Sequence, residues 1–254
     1  MRIEKLFLKV IVFIATATLC LSFRSLGAEW DFNNEVLRYK IYWTFFHVAN
    51  SESKISKIDN DKYLIVGKLS TSGVAKWFKS LEDKGYSVWN LKTLTPEKTY
   101  ITQREGNYAV ERIYIYDLEE GKVNYTKRYL KTGKEKVRVI DIPEIPFQDF
   151  ITAIFYLRKF GKFVVDKETS FTFFDGKKFE TLKFKVVKKE KISTPIGEVE
   201  AFKVIPSKNF SPEGSFQRTG RATFWFSTDE RHIPLKVIAD VKIGSVKAVI
   251  ESIE

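Results

Sequence analysis

From Glu35 onward, apolar and polar residues alternate with a period of two over short runs, and turn residues separate the runs. The C-terminal end shows this most plainly. Ala222–Ser227, Leu235–Ile243 and Val246–Ile253 are β-runs; Ser227, Asp229 and Pro234 mark the first turn, and Gly244-Ser245 the second. Short turns make antiparallel neighbours, so this meander is expected to be the closing edge of one large sheet. Upstream, Glu35–Phe46 reads as one long strand, with Tyr39, Ile41, Trp43 and Phe45 on one face and Val36, Tyr42 and Phe46 on the other. Apolar residues on both faces suit a covered strand or a barrel wall. Ser51–Ile58 and Lys62–Leu69 follow across Asp59-Asn60-Asp61, then Tyr86–Leu91, Glu97–Gln103, Tyr108–Tyr116, Lys122–Leu130 and Lys136–Ile142. Phe163–Val165, Ser170–Phe174, Phe179–Val187 and Glu198–Ile205 continue the series. Lys188–Lys191 reads as a charged turn or strand end, and Pro206–Thr219 as the longest loop.

One stretch changes period. In Pro146–Phe160, Phe147, Phe150, Ile151, Ile154 and Phe155 form a stripe at helical spacing. Pro146 suits the first helical position, Asp149 the positive N-terminal end, Arg158 and Lys159 the negative C-terminal end, and Gly161 a C-cap. Val74, Trp77, Phe78 and Leu81 suggest a shorter amphipathic helix or an aromatic loop. The expectation is a mainly β, single antiparallel domain over residues 29–254, curled into a barrel or half-barrel. Its one principal helix should lie against the concave side as a lid or plug.

The first 28 residues stand outside that domain. Arg2, Lys5 and Lys9 precede an apolar run from Val10 to Phe23, too short to span a bilayer comfortably, and Gly27-Ala28 offers a small-residue cleavage site. This is the pattern of a secretory signal, and it implies an exported, periplasmic protein. The single cysteine, Cys20, lies inside that segment behind Leu19, where a lipoprotein signal wants a small residue. Thiolate catalysis and thiolate metal ligation are therefore not expected of the exported chain. The whole chain carries +11; the signal segment holds +3 of this, leaving +8. Such a charge favours acidic partners, an anionic membrane surface among them. Nucleic acid is not expected for an exported protein, and no protein partner is indicated.

The order of these signals resembles DUF3108, a family of exported bacterial proteins of unknown function. Glu35, Leu37 and Tyr39 match its opening strand, and Asp149 with Tyr156-Leu157-Arg158 its central helix. Gly197 to Lys203 matches its Gly-x-x-x-Ala-x-Lys strand, and Trp225, Ser227, Asp229 and Pro234 its closing hairpin. Where the family often has a glycine in the first hairpin, this chain has Val48-Ala49-Asn50. The resemblance implies no enzyme activity and no site residues. By analogy of fold it suggests a sheet curled like a lipoprotein-carrier half-barrel.

Chemistry is sparse. His47 and His232 lack ligand spacing; His232 reads as a solvated turn residue and His47 as a half-buried one, so no metal is expected. No nucleophile elbow, phosphate-binding loop or dinucleotide fingerprint occurs, and no cofactor is implied. Asp149 and Arg158 are either a buried polar pair at a ligand site or a structural pair complementing the helix dipole. The 22 Phe, 11 Tyr and 5 Trp are the one functional lead. An aromatic-rich curled sheet either encloses an apolar cavity or fills it with a solid core. Trp43, Phe150, Ile154, Phe155 and Trp225 are the candidate ligand-binding residues, with Asp149, Arg158, Asp229 and Pro234 as a structural motif. The first reading is a non-catalytic envelope protein binding a lipid or lipid-linked molecule. An envelope scaffold and an unrecognised hydrolase are the rivals.

Overall fold

A computed structural model describes residues 31–32, 34–73, 80–206, 222–241 and 244–254. The expected signal segment, most of the Val74–Leu81 stretch and all but the first residue of the Pro206–Thr219 loop lie outside the described residues. Phe32–Glu254 forms one compact unit. Its strands are β1 (Val36–Trp43), β2 (Phe46–Asp59), β3 (Lys62–Thr71), β4 (Leu81–Asn90), β5 (Thr95–Glu105), β6 (Tyr108–Asp117), β7 (Lys122–Tyr129), β8 (Glu135–Asp141) and β9 (Phe147–Gln148). After the helix α1 (Thr152–Phe160) come β10 (Glu168–Phe174), β11 (Phe179–Thr194), β12 (Gly197–Pro206), β13 (Ala222–Ser227), β14 (Pro234–Asp240) and β15 (Ser245–Ile253).

All of them join one sheet in the order β8-β7-β6-β5-β4-β3-β2-β1-β15-β14-β13-β12-β11-β10-β9. Only the β9–β10 neighbours run parallel. The C-terminal meander is therefore not the closing edge. β15 pairs with β1 from Leu37↔Ile253 to Trp43↔Val246, so the first and last strands meet in the middle. The free edges fall instead to β8 and β9, which are consecutive in the chain.

That topology forces curvature. Laid flat, 15 strands would put the two edges about 67 Å apart, taking 14 spacings of about 4.8 Å. The connection between them is residues 142–146, whose extended reach is roughly 20 Å. The sheet must roll up until its edges come within that reach. It stops short of closing into a barrel, and β9 with α1 enters the rolled space. Phe147 packs on Tyr116 of β6 at 5.3 Å between ring centroids and on Phe179 of β11 at 5.2 Å, so this one residue touches both ends of the sheet.

Four expectations are corrected. The helix begins at Thr152, because Phe147 and Gln148 pair as a strand with Thr172 and Phe173. Glu35–Phe46 is not one strand: the chain reverses at Thr44-Phe45, with Thr44 at φ 55°, and Val48-Ala49-Asn50 lies inside β2. Exposed aromatics at that tip prolonged the apolar run and hid the turn. Lys188–Lys191 is the interior of β11, beyond a bulge between Val186 and Lys188, where Lys188 pairs with Glu190 at 2.8 Å. Phe163–Val165 forms no strand; Phe163 turns into the core beneath α1.

The helix is core on several sides. Thr152, Phe155, Leu157 and Arg158 are all buried, which no single stripe predicts. Leu157 joins Phe171, Phe184, Phe202 and Phe226 from β10–β13. Phe155 stacks edge-on against Phe32 at 5.4 Å. Replacing Phe155, which is 3% exposed, with alanine is expected to cost about 3–5 kcal/mol. Phe150→Ala, at a half-buried position, should cost less, roughly 1–3 kcal/mol. Urea midpoints of the two variants check this; equal, small losses would show that α1 does not fill the core.

Candidate functional site

Strand register builds an empty trough. Ser53, Gly67 and Gly85 lie side by side on β2, β3 and β4, flanked by Ile55, Ile65 and Ser87 on the same face. A Cβ at Gly67 would meet nothing within 4 Å, whereas one at Gly85 would meet Tyr100 O at 3.0 Å and Ile151 Cδ1 at 3.4 Å. The entry to α1 is thus seated tightly on β4 but not on β3. Next to this trough, between α1 and β1, β2, β14 and β15, is a cavity of about 220 Å³. Leu37, Tyr39, Ile41, Ser51, Ile154 and Phe155 are prominent in its lining, and Arg158 reaches it. Several of these residues are half-buried, so solvent has access. A second, more polar hollow of about 300 Å³ on β1–β3 and β15 is a field of paired charges. There Arg38 meets Glu52 at 3.1 Å and Lys68 meets Glu52 at 3.2 Å, the pattern of a solvated ion-pair surface.

Two charged side chains hold α1 over the cavity. Asp149 is fully buried and its carbonyl accepts the Ala153 N–H at 2.9 Å, closing the turn that leads into the helix, whose N-cap is Ile151. Its Oδ1 accepts from the backbone N–H groups of Ile151 at 2.8 Å and Thr152 at 2.7 Å, while its own N–H donates to Thr152 Oγ1 at 3.0 Å. This reciprocal pattern satisfies helix donors that would otherwise be orphaned. Its Oδ2 accepts from Ser87 Oγ at 3.1 Å, from Thr99 Oγ1 and from Tyr116 OH at 3.4 Å, on β4, β5 and β6. Burial and the adjacent Asp149 charge push the Tyr116 hydroxyl well above its ordinary pKa.

At the other end of α1, Arg158 forms a bidentate pair with Glu35, at 2.7 and 2.9 Å, and donates from Nε to Arg231 O at 3.1 Å. Its guanidinium also lies 5.2 Å from the Phe32 ring centre. Asp149 and Arg158 are therefore not partners of each other. Each binds a different part of the sheet to one end of the helix.

The β13–β14 turn is shaped to meet Arg158. Ser227 Oγ donates to Asp229 Oδ1 at 2.5 Å and accepts the Ile233 N–H at 2.7 Å, and Arg231 clasps Asp229 Oδ2 at 3.1 and 3.0 Å. Burial opposes ionisation of Asp229, but the Ser227 and Arg231 contacts prevail and its pKa lies below the usual range. Pro234 O accepts from Tyr39 OH at 2.9 Å. His232 corrects the expectation of a solvated residue. It stacks on Phe163 at 3.9 Å and Nδ1 donates to Arg158 O at 3.1 Å; burial lowers its pKa, against that hydrogen bond. His47 Nε2 lies 2.8 Å from Asn50 Oδ1. Among the described residues, no group of three or more His, Cys, Asp or Glu is placed to hold a metal.

Of the candidate ligand residues, Ile154 and Phe155 line the cavity. Trp43 stands two residues beyond Ile41 on β1, does not line the cavity, and is 45% exposed. Phe150 packs against Tyr114 at 6.3 Å instead. Trp225 lies away from it, donating to Glu190 at 2.8 Å beneath Lys236 at 4.5 Å. The structural motif residues Arg158, Asp229 and Pro234 do converge, at the C-terminal end of α1. Sequence reasoning missed Ser51, Ser53 and Gly67, and the Asp149 partners Ser87, Thr99 and Tyr116. Small or hydroxylated residues at positions that period-two alternation assigns to the buried face are the signal that could have found them.

The sequence pattern of DUF3108, described as a protein of unknown function, matches residues 38–251, and the chain belongs to that family. No curated protein matches the sequence. Among solved structures, a β-barrel-like protein of the domain of unknown function DUF1849 from Brucella abortus is similar with a TM-score of 0.56 and 10% identity, over 87% of this chain and 97% of that one. A Bacteroides fragilis protein described as exported, with a YmcC-like fold, gives a TM-score of 0.37 at 10% identity, over 87% and 96% of the two chains. The first of these likenesses shows the barrel-like fold and nothing of function.

The Glu35–Arg158 pair yields a sharp test. Glu35→Leu or Arg158→Met alone strands a buried charge and is expected to cost roughly 3–5 kcal/mol, whereas the double replacement Glu35→Leu with Arg158→Met should recover most of that loss. Denaturant midpoints of the four proteins measure the coupling. Simple additivity would show that the pair does not anchor the helix.

Proposed function

For this member of the DUF3108 family, we propose a non-catalytic role in the cell envelope: receiving the apolar end of an amphiphilic molecule, a lipid or lipid-linked compound, beneath α1. The observation that carries this reading is the side-chain-poor trough of Ser53 and Gly67 beside the cavity that Ile154 and Phe155 cover. A sheet selected only for a solid core would place larger side chains at these positions, since interiors are normally close-packed. At about 220 Å³ the space is below the roughly 300–1,000 Å³ of pockets that bury a whole drug-sized ligand. It suits the end of an acyl or prenyl chain, with the polar part left outside. The buried carboxylates nearby are already engaged, Glu35 by Arg158 and Asp149 by six donors. That supports binding over hydrolysis. The signal-like N-terminal segment supports export to the periplasm.

A scaffold reading has its own support. β8 is an edge strand, exposed along most of its length, with Val137 and Val139 facing solvent. Such an edge can accept a strand from a partner protein.

The cavity reading is tested by filling it. Ser53→Leu, with Ser51→Val as a second variant, should lower affinity for a fluorescent fatty-acid probe about tenfold or more while the melting temperature stays near that of the parent. Mass spectrometry of gently purified parent protein should find a bound amphiphile that Ser53→Leu lacks. Undiminished probe binding in both variants would reject the cavity as the site.

A further inference from the structure

The tip of the β1–β2 hairpin presents three large aromatic residues to water. Trp43 is 45% exposed, Phe45 76% and Phe46 59%. A hairpin turn of two residues needs none of them, and glycine or asparagine would serve the geometry better. Contiguous exposed apolar surface of this kind marks an interaction site. We infer that this tip is a membrane-docking element that seats its aromatic rings in the headgroup region of an anionic bilayer. The inference goes beyond the cavity and stands whether or not the cavity holds a ligand.

The tip is held, not loose. Thr44 N donates to Ser245 O at 2.8 Å, tying it to the neighbouring β14–β15 turn. Thr44 Oγ1 donates to Trp43 O at 2.6 Å. Gly244, at φ 79°, lies so close that a Cβ there would meet Thr44 Cγ2 at 2.5 Å and Trp43 Nε1 at 3.6 Å. Any other residue at 244 would displace the Thr44 side chain and strain a backbone at φ 79°. Phe45 and Phe46 lie 4.3 Å apart between ring centroids. The rings are therefore displayed by a braced hairpin, and inserting them orders little additional chain.

The charge of the surrounding chain suits anionic lipid. Residues 41–51 carry no acidic residue, and residues 241–250 contain Lys242 and Lys247 and none either; Arg38 and Lys40, farther from the tip, are already paired with Glu52 and Glu251. Glu35, Glu52, Asp240 and Glu251 are the acids nearest these stretches in sequence. Lys247 Nζ lies 4.8 Å from the Tyr42 ring centre, just behind the tip. Aromatic rings flanked by cations are the usual anchors at a membrane–water interface, where rings sit at headgroup depth and basic groups meet anionic phosphates. The tip is a projecting turn and not a groove or flat face. That shape enters a fluid interface more readily than it packs against a folded protein.

Position gives the docking a purpose. Leu37, Tyr39 and Ile41 line the cavity from β1, and Trp43 is the next residue of that alternation. A tip seated in the membrane would bring the cavity to the lipid surface.

The test uses the chain from Glu29 onward, which holds the compact unit Phe32–Glu254. It is mixed with vesicles of phosphatidylcholine alone or with phosphatidylglycerol added, at low and high salt. The parent should bind the anionic vesicles and release them as salt rises. The triple variant Trp43→Ser, Phe45→Ser, Phe46→Ser should bind about tenfold more weakly or worse. Brominated lipid should quench parent fluorescence more than that of Trp43→Tyr, which places Trp43 itself at the bilayer. Ser53→Leu should lose the fatty-acid probe but keep vesicle binding, and the triple variant should do the reverse. Should the triple variant melt early, Phe45→Ser and the Trp43→Tyr quenching difference decide instead. Parent protein that ignores anionic vesicles, a triple variant that binds like the parent, or equal quenching with and without Trp43 would each overturn the inference and leave the cavity reading untouched.

Discussion

The structure rests on one topological constraint: the first and last strands pair with each other in the middle of the sheet. This removes both ends of the chain from the edges and gives those edges to β8 and β9, which are joined by residues 142–146. A short connection between the two edges of so wide a sheet cannot be satisfied by a flat or merely twisted arrangement. Curling is then the way to keep every ladder hydrogen bond. The same constraint supplies the plug. The chain that leaves one edge must return along the other, and its return path, β9 followed by α1, passes through the space the curl encloses. Sheet and helix are thus two consequences of one connectivity.

A plug inside a curled sheet needs directional contacts, because apolar packing alone would let it slide or rotate. Asp149 and Arg158 supply them at opposite ends of α1. Asp149 gathers hydroxyls from β4, β5 and β6, whereas Arg158 gathers Glu35 and the carbonyl of Arg231. Buried ionic contacts add little net stability over a well-packed apolar alternative, but they strongly penalise wrong placements that leave a charge unpaired. Their role here is to fix where the helix sits. The cavity follows from that placement: a helix of nine residues is about 14 Å long, and held against β4 it leaves space above the side-chain-poor floor at Ser53 and Gly67.

Much of the strand layout was legible because period-two alternation and turn chemistry are local. The Gly244-Ser245 turn, the Asp59-Asn60-Asp61 turn and the limits of β13 could be read directly. Three things could not. The central place of the C-terminal meander depends on β15 meeting β1, a contact more than two hundred positions apart that leaves no local mark. The start of α1 was placed too early because Phe147 fits a helical stripe as well as it fits the edge pairing with β10, and only the tertiary partner decides. The polarity of the inner face was hidden too. Asp149 and Arg158 read either as a buried polar pair or as a pair complementing the helix dipole; Asp149 is buried, but its partners are Ser87 and Thr99, inner-face residues of ordinary strands. Ile154 and Phe155 were found at the cavity because their helical half was read correctly. Trp225 was assigned by residue type alone and lies elsewhere.

β1 connects these features. Glu35, just before it, holds the helix; Leu37, Tyr39 and Ile41 face the cavity; Trp43 ends it at the aromatic tip. As the centre of the sheet it is paired on both sides along its length, by β15 and β2. The cavity floor and the exposed tip therefore belong to the most constrained part of the ladder, while the unpaired edges at β8 and β9 lie at the far ends of the strand order. A binding surface on such a strand cannot adapt by moving its backbone. Across the cavity from it, α1 is gripped by the turn in which Asp229, Arg231 and His232 meet the end of the helix. The physical reading is of a rigid floor under a helix whose C-terminal end is fixed by a compact group of charged and aromatic contacts.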